Sequence, residues 1–299
     1  MHVTLRQLQI FRAIALSGST TAAAKSVPLS QSAASASLNE LERALRASLF
    51  DRVGKRLLLN DNGRMLLPMA LSVLDGARSL ESAFLEHASP ADLQLFASTT
   101  IGNYVLPNLL TSFERLAPGS RVNLRIGNTQ EVVTAVHDFA ADLGLIEGPC
   151  HAPDVVVRPW ALDELVVVAA PSHPLARAAK HSRINIDQLA KARWLLREPG
   201  SGTRVAVEQA LLNHLPDLSS VMTLGSSEAI KNAAAAGLGL SCLSSSVVED
   251  LVSAKRLRVL NTRLPRMTRR FALIHHRRKL LSESLRRFVA HCESYKGEE

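Results

Sequence analysis

Residues 17–42 read SGSTTAAAKSVPLSQSAASASLNELE, and this stretch decides the fold of the first part of the chain. Its Ala-rich segment Thr20–Ser26 predicts a short helix with a polar cap at its start. Pro28 cannot extend that helix, because its ring removes a backbone donor and clashes with the preceding turn. Ser30 is placed to cap a second helix that begins at Gln31. We therefore expect two short helices joined by a tight turn.

The second helix has two contrasting faces. Spacings of four, three and four predict a buried face, made of Ala34, Leu38, Leu41 and Leu45. The outward face is polar and uncharged at its leading end, with Gln31, Ser32, Ser35 and Asn39. Such a face is what a helix-turn-helix presents to the major groove. A polar helix face is also often only solvated, so the helix pair alone leaves both interpretations open.

A basic hairpin is predicted directly after the helix pair. Residues 45–63 read LRASLFDRVGKRLLLNDNG, in which Gly54 permits a tight turn between two short extended segments. Arg52, Lys55 and Arg56 lie at its tip, where they can contact phosphates. The helix pair and hairpin together predict a winged helix-turn-helix. Its contacts with DNA are assigned to Thr20, Thr21, Ser30, Gln31, Ser32, Ser35, Arg52, Lys55 and Arg56.

A long helix is predicted from Asp61 to about His87, with Asn60 or Asp61 as its cap. Apolar residues recur in it by fours and threes, at Leu66, Ala70, Val73, Ala77, Leu80 and Phe84. This heptad seam favours pairing with a second copy of the helix over packing against its own domain.

Composition limits the classes of protein that remain. Hydrophobic residues make up 46% of the 299 residues, which excludes a disordered chain, and the net charge of +8 favours polyanionic partners. The first 60 residues carry eight Lys or Arg and three Asp or Glu, a net charge of +5. No apolar run long enough for a membrane span and no signal peptide is evident, so a cytoplasmic protein is expected. The three distant cysteines predict neither a zinc site nor a disulfide framework, and a redox pair of Cys150 and Cys242 is the less favoured alternative.

From residue 92 onward, short β-runs alternate with helices, which predicts a mixed α/β fold with mainly parallel sheets. Four polar turns each follow a strand and open a helix. Free backbone N–H groups and the helix dipole make such turns anion sites. The residues assigned to a small-molecule site there are Ser98, Thr99, Thr100, Asn128, Thr129, Arg197, Ser201, Gly202, Thr203 and Ser227.

Taken together, the chain resembles the LysR-type transcriptional regulators over essentially its whole length. The similarity is carried by LRQLQIFRAIALSGSTTAAAKSVPLSQSAASASLNELE and LFDRVGKRLLLNDNGR. Two positions depart from the family pattern: Leu45-Arg46-Ala47 stands where Leu-Gly is usual, and Asn60 replaces a capping Thr. The remainder is similar to a sulfur-metabolism branch, the YeiE-type, sulfite-responsive regulators, with related patterns in CysB-like and CbbR-like branches. It includes ASTTIGNYVLP, WLLREPGSGTR and LGSSEAIKNAAAAGLGLSCLS.

This resemblance implies a winged helix-turn-helix over residues 1–60, a dimerisation helix over 61–89 and an effector-binding domain over 92–299. The last has a periplasmic-binding-protein-like fold of two subdomains, about 92–163 with 269–299 and about 164–268. The implied partners are an interrupted palindromic operator in double-stranded DNA and further copies in a dimer and a tetramer, with RNA polymerase as a further candidate. No cofactor is expected beyond a small effector, sulfite or a similar oxyanion.

The resemblance also places Glu147 in the effector cleft. There a carboxylate would repel an anion. Three roles stay open for Glu147: it could be protonated, bind through water, or discriminate a protonated anion.

Two other classes of function remain as alternatives. A solute-binding protein could share the two-lobed fold, but the sequence shows no export signal. An enzyme acting on a small oxyanion lacks support, because no nucleophile or metal constellation stands out and the GSG at 200–202 is not followed by a phosphate-binding Lys-Ser/Thr.

Overall fold

The computed structural model describes residues 3–27, 29–54, 56–84, 92–179, 182–212 and 220–295. The chain forms two compact units. The N-terminal unit is Met1–Pro90 with Arg278–Arg286, and the C-terminal unit is Ala91–Arg277 with Arg287–Glu299. Among the described residues, no helix is both long and apolar enough to cross a membrane.

The N-terminal unit begins with a helical triad and a hairpin. Its elements are α1 (Leu5–Ser17), α2 (Thr20–Ser26), α3 (Gln31–Leu45), β1 (Phe50–Val53), β2 (Arg56–Leu59) and α4 (Asp61–Phe84). Helix α1 buries Leu8, Ile10, Phe11 and Ile14. The Phe11 ring lies 5.6 Å from that of Phe50, so the same core supports the hairpin.

The turn between α2 and α3 has the expected caps. The Ser19 hydroxyl accepts a hydrogen bond from the Ala22 N–H, and the Ser30 hydroxyl accepts one from the Ala33 N–H at 3.2 Å. Pro28, the predicted helix breaker, lies outside the described residues. On α3 the residues Ala34, Leu38 and Leu41 are buried, but Leu45 is 37% exposed. The predicted burial of Leu45 is therefore wrong, because the helix ends there.

Arg46 ends α3 in the left-handed conformation, with φ at 52°. This conformation favours glycine, because a side chain then crowds the following carbonyl oxygen. The position is the one where the family pattern has glycine, so the departure at Arg46 has a conformational cost.

The C-terminal unit contains nine strands among its described residues. They are β3 (Asp92–Ser98), β4 (Arg121–Gly127), β5 (Leu143–Ile146), β6 (Val155–Ala169), β7 (Arg193–Arg197), β8 (Ser220–Leu224), β9 (Ser241–Ser244), β10 (Arg258–Val259) and β11 (Met267–His276). The helices after α4 are α5 (Leu106–Leu116), α6 (Thr129–His137), α7 (Pro174–Ala178), α8 (Ile186–Ala190), α9 (Gly202–Leu212), α10 (Ser227–Ala235), α11 (Ser245–Ser253) and α12 (Glu283–Ser294). A π-helical turn, Ile101–Val105, precedes α5.

These strands form two lobes that share β6 and β11. In lobe I the order is β4-β3-β5-β11-β6, and β3 pairs in parallel with both β4 and β5. In lobe II the second half of β6 lies between β9 and β10, and β7 pairs in parallel with β8. A bridge from Trp194 to Leu240 joins these two groups of lobe II strands.

Strand β6 corrects one expectation from the sequence. The sequence predicted short strands in mainly parallel sheets, but residues 155–169 form one continuous strand of 15 residues. It pairs antiparallel with β11 from Val155 to Leu165 and continues into lobe II. The sheet is therefore mixed, and its two crossing strands form the floor between the lobes.

Candidate functional site

The leading end of α3 presents the residues predicted to contact DNA. Gln31 and Ser32 are exposed, and Ser35 is half-buried. The Gln31 amide Nε2 donates to the Thr20 hydroxyl at 3.4 Å, which fixes the orientation of Gln31 relative to α2. Ser30 combines its cap with a contact of 3.0 Å between its hydroxyl and that of Ser32. Thr21 is exposed beside them, so these side chains form one polar surface.

The hairpin provides the basic part of this surface. Arg52 on β1 and Arg56 on β2 are exposed, and Gly54 begins the turn between the strands with φ at 62°. Lys55, the third predicted phosphate contact, lies outside the described residues. The Leu57 N–H donates to the Gly18 carbonyl at 2.9 Å. This bond ties the hairpin to the end of α1, so the wing is held beside the helix pair.

Helix α4 changes the predicted heptad seam. Ala70, one of its members, is only 1% exposed and packs inside the unit, and Leu66 is half-buried. The exposed apolar residues of α4 are Met65, Met69, Val73 and Leu80. The apolar surface that a partner helix could contact therefore differs from the predicted seam, because the side of α4 that carries Ala70 is buried in the core of its own unit. The side chain of Phe84, the last predicted member, lies outside the described residues.

In the C-terminal unit, the four predicted turns meet where lobe I faces lobe II. The Gln130 N–H of lobe I donates to the Gly200 carbonyl of lobe II at 3.1 Å. Gly148 and Gly202 approach so closely that a Cβ on Gly148 would lie 2.5 Å from the Gly202 Cα. Only glycine fits at these two positions, so the lobes contact each other through backbone.

Arg197 is the first buried cation of this cleft. Its side chain is 2% exposed. Its Nη1 donates to the Ser227 hydroxyl at 2.8 Å, and its Nη2 donates to the Thr99 hydroxyl of lobe I at 3.2 Å. The Glu198 carboxylate accepts from Nε at 2.7 Å and from Nη2 at 2.8 Å. Arg197 therefore links its own turn to the turns that contain Thr99 and Ser227, three of the four predicted turns.

Arg269 is the second buried cation, and the sequence did not reveal it. Its Nε donates to Asp163 at 2.7 Å, across the pairing of β11 with β6. The Thr100 and Thr203 hydroxyls accept from its two terminal nitrogens at 3.2 and 2.9 Å. Arg269 thus connects both lobes at the strands that cross between them.

Glu147 is paired with this second cation. Its Oε2 lies 3.2 Å from Arg269 Nη2, and its Oε1 accepts from the Thr203 hydroxyl at 3.2 Å. Burial raises the pKa of the neighbouring Asp163, and the charge of Arg269 opposes that rise without cancelling it. Arg269 therefore faces two buried carboxylates, and the repulsion expected from Glu147 is offset locally by this guanidinium.

Among the described residues of the cleft, the Thr129 hydroxyl and Glu147 Oε2 are buried without a hydrogen-bond partner, and of these two the Oε2 lies within ion-pair distance of Arg269. Thr129 is 5% exposed, and its Oγ1 has no hydrogen-bond partner. A Cβ placed on Gly202 would lie 2.5 Å from this oxygen, so Thr129 is directed at the start of α9. The first N–H groups of a helix have no intrahelical acceptor. The arrangement therefore brings an unpartnered hydroxyl close to the N-terminus of α9.

Two predicted residues have their hydroxyls bonded elsewhere. Ser98 donates to the Leu145 carbonyl at 3.2 Å, within the sheet. Ser201 accepts from the Arg204 N–H at 3.4 Å, as a cap of α9. Asn128 caps α6 in the same way, but its amide also lies 3.5 Å from Glu198. Ser98 and Ser201 hold the turns in shape, whereas Asn128 faces the cleft.

A second polar contact between the lobes involves Lys231 of α10. Its Nζ donates to the Tyr104 hydroxyl of the π-helical turn at 3.2 Å and to Asp250 at 2.9 Å. Burial would lower the pKa of Lys231, but the bonds to Asp250 and Glu228 outweigh burial and raise it. Lys231 therefore stays charged. The sequence analysis missed Lys231, and the signal that could have found it is a lysine directly before the alanine run of KNAAAA.

The described residues form no metal site, and the Cys242 thiol is buried. No group of three or more His, Cys, Asp or Glu among them is suited to hold a metal. Burial raises the pKa of Cys242 to about 12, so its thiol stays protonated and unreactive. That argues against Cys242 as one half of the redox pair considered above.

Comparisons with known proteins identify both parts of the chain. Residues 5–64 match the bacterial regulatory helix-turn-helix protein, lysR family, and residues 89–296 match the LysR substrate binding domain. The HTH-type transcriptional regulator YeiE of Escherichia coli K12 is 49% identical over 98% of both chains.

Solved structures give the same result. The CcmR regulatory domain of Synechocystis, solved in complex with 2-PG, is 31% identical, covers 70% of this chain and 98% of its own, and has a TM-score of 0.60. A full-length variant of OxyR from Pseudomonas aeruginosa shares the fold at 23% identity, covering 98% of this chain and 95% of its own, with a TM-score of 0.77.

These findings decide between the classes of function left open by the sequence. A solute-binding protein is not favoured, because the two-lobed domain follows a regulatory helix-turn-helix in the same chain. The relatives are transcriptional regulators rather than enzymes. The chain therefore belongs to the LysR family, as a DNA-binding transcriptional regulator with an effector-binding domain.

Proposed function

We propose that a small oxyanion, sulfite or a related sulfur oxyanion, binds between the two lobes and controls how this regulator acts on its operator. The observation that carries the proposal is the buried, unpartnered Thr129 hydroxyl directed at the start of α9. A buried hydroxyl without a partner costs free energy, and an acceptor on a ligand would remove that cost.

The dimensions of the site favour a small ligand. Gly148 and Gly202 meet through backbone beside Thr129, so a large or planar metabolite would have to force the lobes apart. The start of α6 also faces the cleft, and helix N-termini favour negative charge. Arg197 and Arg269 are already paired with carboxylates of the chain, so an anion gains from these cations only by exchange. The site therefore favours a compact, charged ligand with several oxygen acceptors, and a sulfur oxyanion has these properties.

A solved relative supports a small-molecule ligand for this domain. The CcmR regulatory domain, similar over 70% of this chain, was solved in complex with 2-PG, so a domain of this type takes a small molecule. The resemblance of the sequence to sulfite-responsive regulators supports an oxyanion of the sulfur series.

Calorimetric titration of the full chain tests the effector. Sulfite, sulfate, thiosulfate and O-acetylserine are compared on wild type and on Thr129→Val. The variant should bind the preferred anion more weakly by about 1–3 kcal/mol, because one hydrogen bond to a charged group is lost. Thr134→Val is the matched control, because Thr134 is exposed on the same helix. Binding of O-acetylserine alone, or equal affinity in Thr129→Val and wild type, would contradict the proposal.

We further propose that the regulator binds an interrupted palindrome as a dimer joined through α4, and that two dimers form a tetramer. The exposed apolar residues Met65, Met69, Val73 and Leu80 support the α4 contact, because a soluble helix seldom leaves such a stripe uncovered. Sedimentation of Met69→Lys should show a smaller assembly than wild type. Val53→Lys, at a site of nearly equal exposure (59% against 60%), should not.

A gel-shift assay against the DNA upstream of the chain's own gene tests operator binding. Sequence-selective retardation that weakens steeply with salt is expected. Retardation that is equal on unrelated DNA would contradict the proposed operator.

A further inference from the structure

The carboxylate of Glu198 is bound like a ligand in the cleft. It accepts two hydrogen bonds from the Arg197 guanidinium, at 2.7 and 2.8 Å, in the bidentate geometry that carboxylates and other oxyanions adopt. Across the cleft, the Asn128 amide of lobe I lies 3.5 Å from the same carboxylate. A cation from one lobe and an amide from the other therefore hold an anion that belongs to the chain itself.

The other bonds of Arg197 leave little capacity for a second anion. A guanidinium has five N–H donors. Two bonds go to Glu198, one goes to Ser227 and one goes to Thr99. Because Ser227 and Thr99 are neutral, Glu198 is the one negative partner in this set. An incoming oxyanion can pair with Arg197 only by replacing Glu198.

Glu198 is placed so that such an exchange is feasible. Its side chain is 24% exposed, whereas that of Arg197 is 2% exposed. The carboxylate can therefore rotate into water while the guanidinium stays in position. Burial would raise the pKa of Glu198, but its bonds to Arg197 and Asn128 outweigh burial and lower it. The competitor thus stays charged at neutral pH.

We propose that Glu198 is an internal competitor for the effector, a residue that occupies Arg197 in the effector-free state and sets the affinity and selectivity of the cleft for anions. This inference rests on the proposed oxyanion function and deepens it. Displacement of Glu198 also breaks its contact with Asn128, so binding of an anion removes a link between the lobes. Anions that cannot outcompete a carboxylate for the guanidinium are excluded.

The test compares Glu198→Gln with wild type in the full chain. Glutamine has the same shape but no charge, and a neutral partner binds a guanidinium much more weakly than a carboxylate does. Sulfite and inorganic phosphate are titrated against both proteins. Sulfite should bind the variant about tenfold or more tightly, the change expected from removing one charged competitor. Phosphate should gain as well, because the selectivity filter is lost.

Glu164→Gln is the matched control. It removes one negative charge from the same unit, but Glu164 pairs with the exposed Arg266 outside the cleft. Its sulfite affinity should equal that of wild type. If Glu164→Gln tightened binding as much as Glu198→Gln, the effect would be one of net charge and the inference would be overturned.

A kinetic measurement separates competition from a structural role. Association is followed by stopped-flow tryptophan fluorescence of the chain, in which Trp194 lies on β7, the strand that ends at Arg197. Loss of a competitor should raise the association rate of sulfite, whereas a merely loosened cleft would raise its dissociation rate. Thermal unfolding confirms that the variant is folded.

The possible outcomes separate this inference from the proposed function. If wild type binds sulfite and Glu198→Gln binds it equally or more weakly, the inference is overturned and the proposed function stands. If Glu198→Gln binds an anion that wild type does not bind, the inference is supported. Binding of neither anion to either protein overturns both.

Discussion

Replacement of Arg269 by methionine should strongly destabilise the C-terminal unit. Methionine retains most of the apolar stem but leaves two carboxylates, Asp163 and Glu147, buried without their cation. These carboxylates are 6% and 2% exposed. Breaking a buried pair by removing one partner costs about 3–5 kcal/mol, because an uncompensated charge remains. That is a large share of the roughly 5–15 kcal/mol that holds a typical domain folded.

The loss should shrink as the pH falls. Burial raises the pKa of Asp163 already in the wild type, against the opposing charge of Arg269. Without Arg269 that pKa rises further. A carboxylate whose folded-state pKa is raised lowers stability above its unfolded value of about 3.8, and protonation restores stability as the pH falls. The deficit of Arg269→Met should therefore be largest at pH 7 and smaller at pH 5.

Urea unfolding followed by tryptophan fluorescence measures this difference. Both tryptophans of the chain, Trp160 and Trp194, lie in the C-terminal unit and report on it selectively. Adding Asp163→Asn to Arg269→Met should recover part of the loss. Arg266→Met, which breaks the exposed pair between Glu164 of β6 and the residue before β11, should leave the midpoint unchanged. A loss below about 1 kcal/mol, or a loss independent of pH, would refute the reasoning, since only an exposed pair is worth so little.

Four further outcomes are expected. Arg46→Gly should stabilise the N-terminal unit by about 1 kcal/mol in urea unfolding followed by circular dichroism, because glycine removes the left-handed strain; a loss of stability would contradict this. Gly202→Ala should sharply lower the melting temperature of the C-terminal unit, because the added carbon would meet Gly148 N at 2.6 Å, whereas Gly225→Ala meets open space and should melt like wild type. Arg56→Ala should weaken binding to specific and random DNA alike and reduce the magnitude of the salt slope by about 1, as the loss of one phosphate contact requires; a loss confined to specific DNA would contradict this. Burial lowers the pKa of His275 below its usual 6.5, so its contribution to stability is complete above pH 6.5 and is lost as the pH falls further; His275→Gln should flatten that part of the pH–stability curve measured in urea.

The helix pair could be predicted from sequence because its signals are local. A cap at Ser30 and the apolar spacing of Ala34, Leu38 and Leu41 act within a few residues of one another, so the chain's own pattern determines them. The heptad of α4 was less predictable. Ala70 and Val73 look equivalent in the sequence, but only the packed core decides which of them faces inward.

The polar turns of the cleft were recognised, whereas their cations were recognised only in part. Each turn is a local strand-to-helix motif, so Thr100 and Thr129 could be assigned without the fold. Arg269 lies within a strand, and its partner Asp163 is 106 residues earlier in the chain. Charged residues in strands usually face solvent, and nothing local distinguishes Arg269 from the exposed Arg270 beside it. Only the pairing of β6 with β11 brings the ion pair together.

The number of internal bonds in the cleft limits how an effector can switch this protein. Moving an equilibrium from 1:99 to 99:1 requires a ligand to prefer one state by about 5.5 kcal/mol. One hydrogen bond to a charged group supplies about 1.5–3 kcal/mol, and every bond that replaces an internal one yields only the difference. An anion that merely took the place of Glu198 on Arg197 would exchange one charged pair for another and shift little. The additional preference has to come from groups that are unsatisfied beforehand, and the Thr129 hydroxyl is such a group among the described residues. A switching effector must therefore bond to both Arg197 and Thr129, which requires several acceptor atoms; an oxyanion has them and a monatomic ion such as chloride does not.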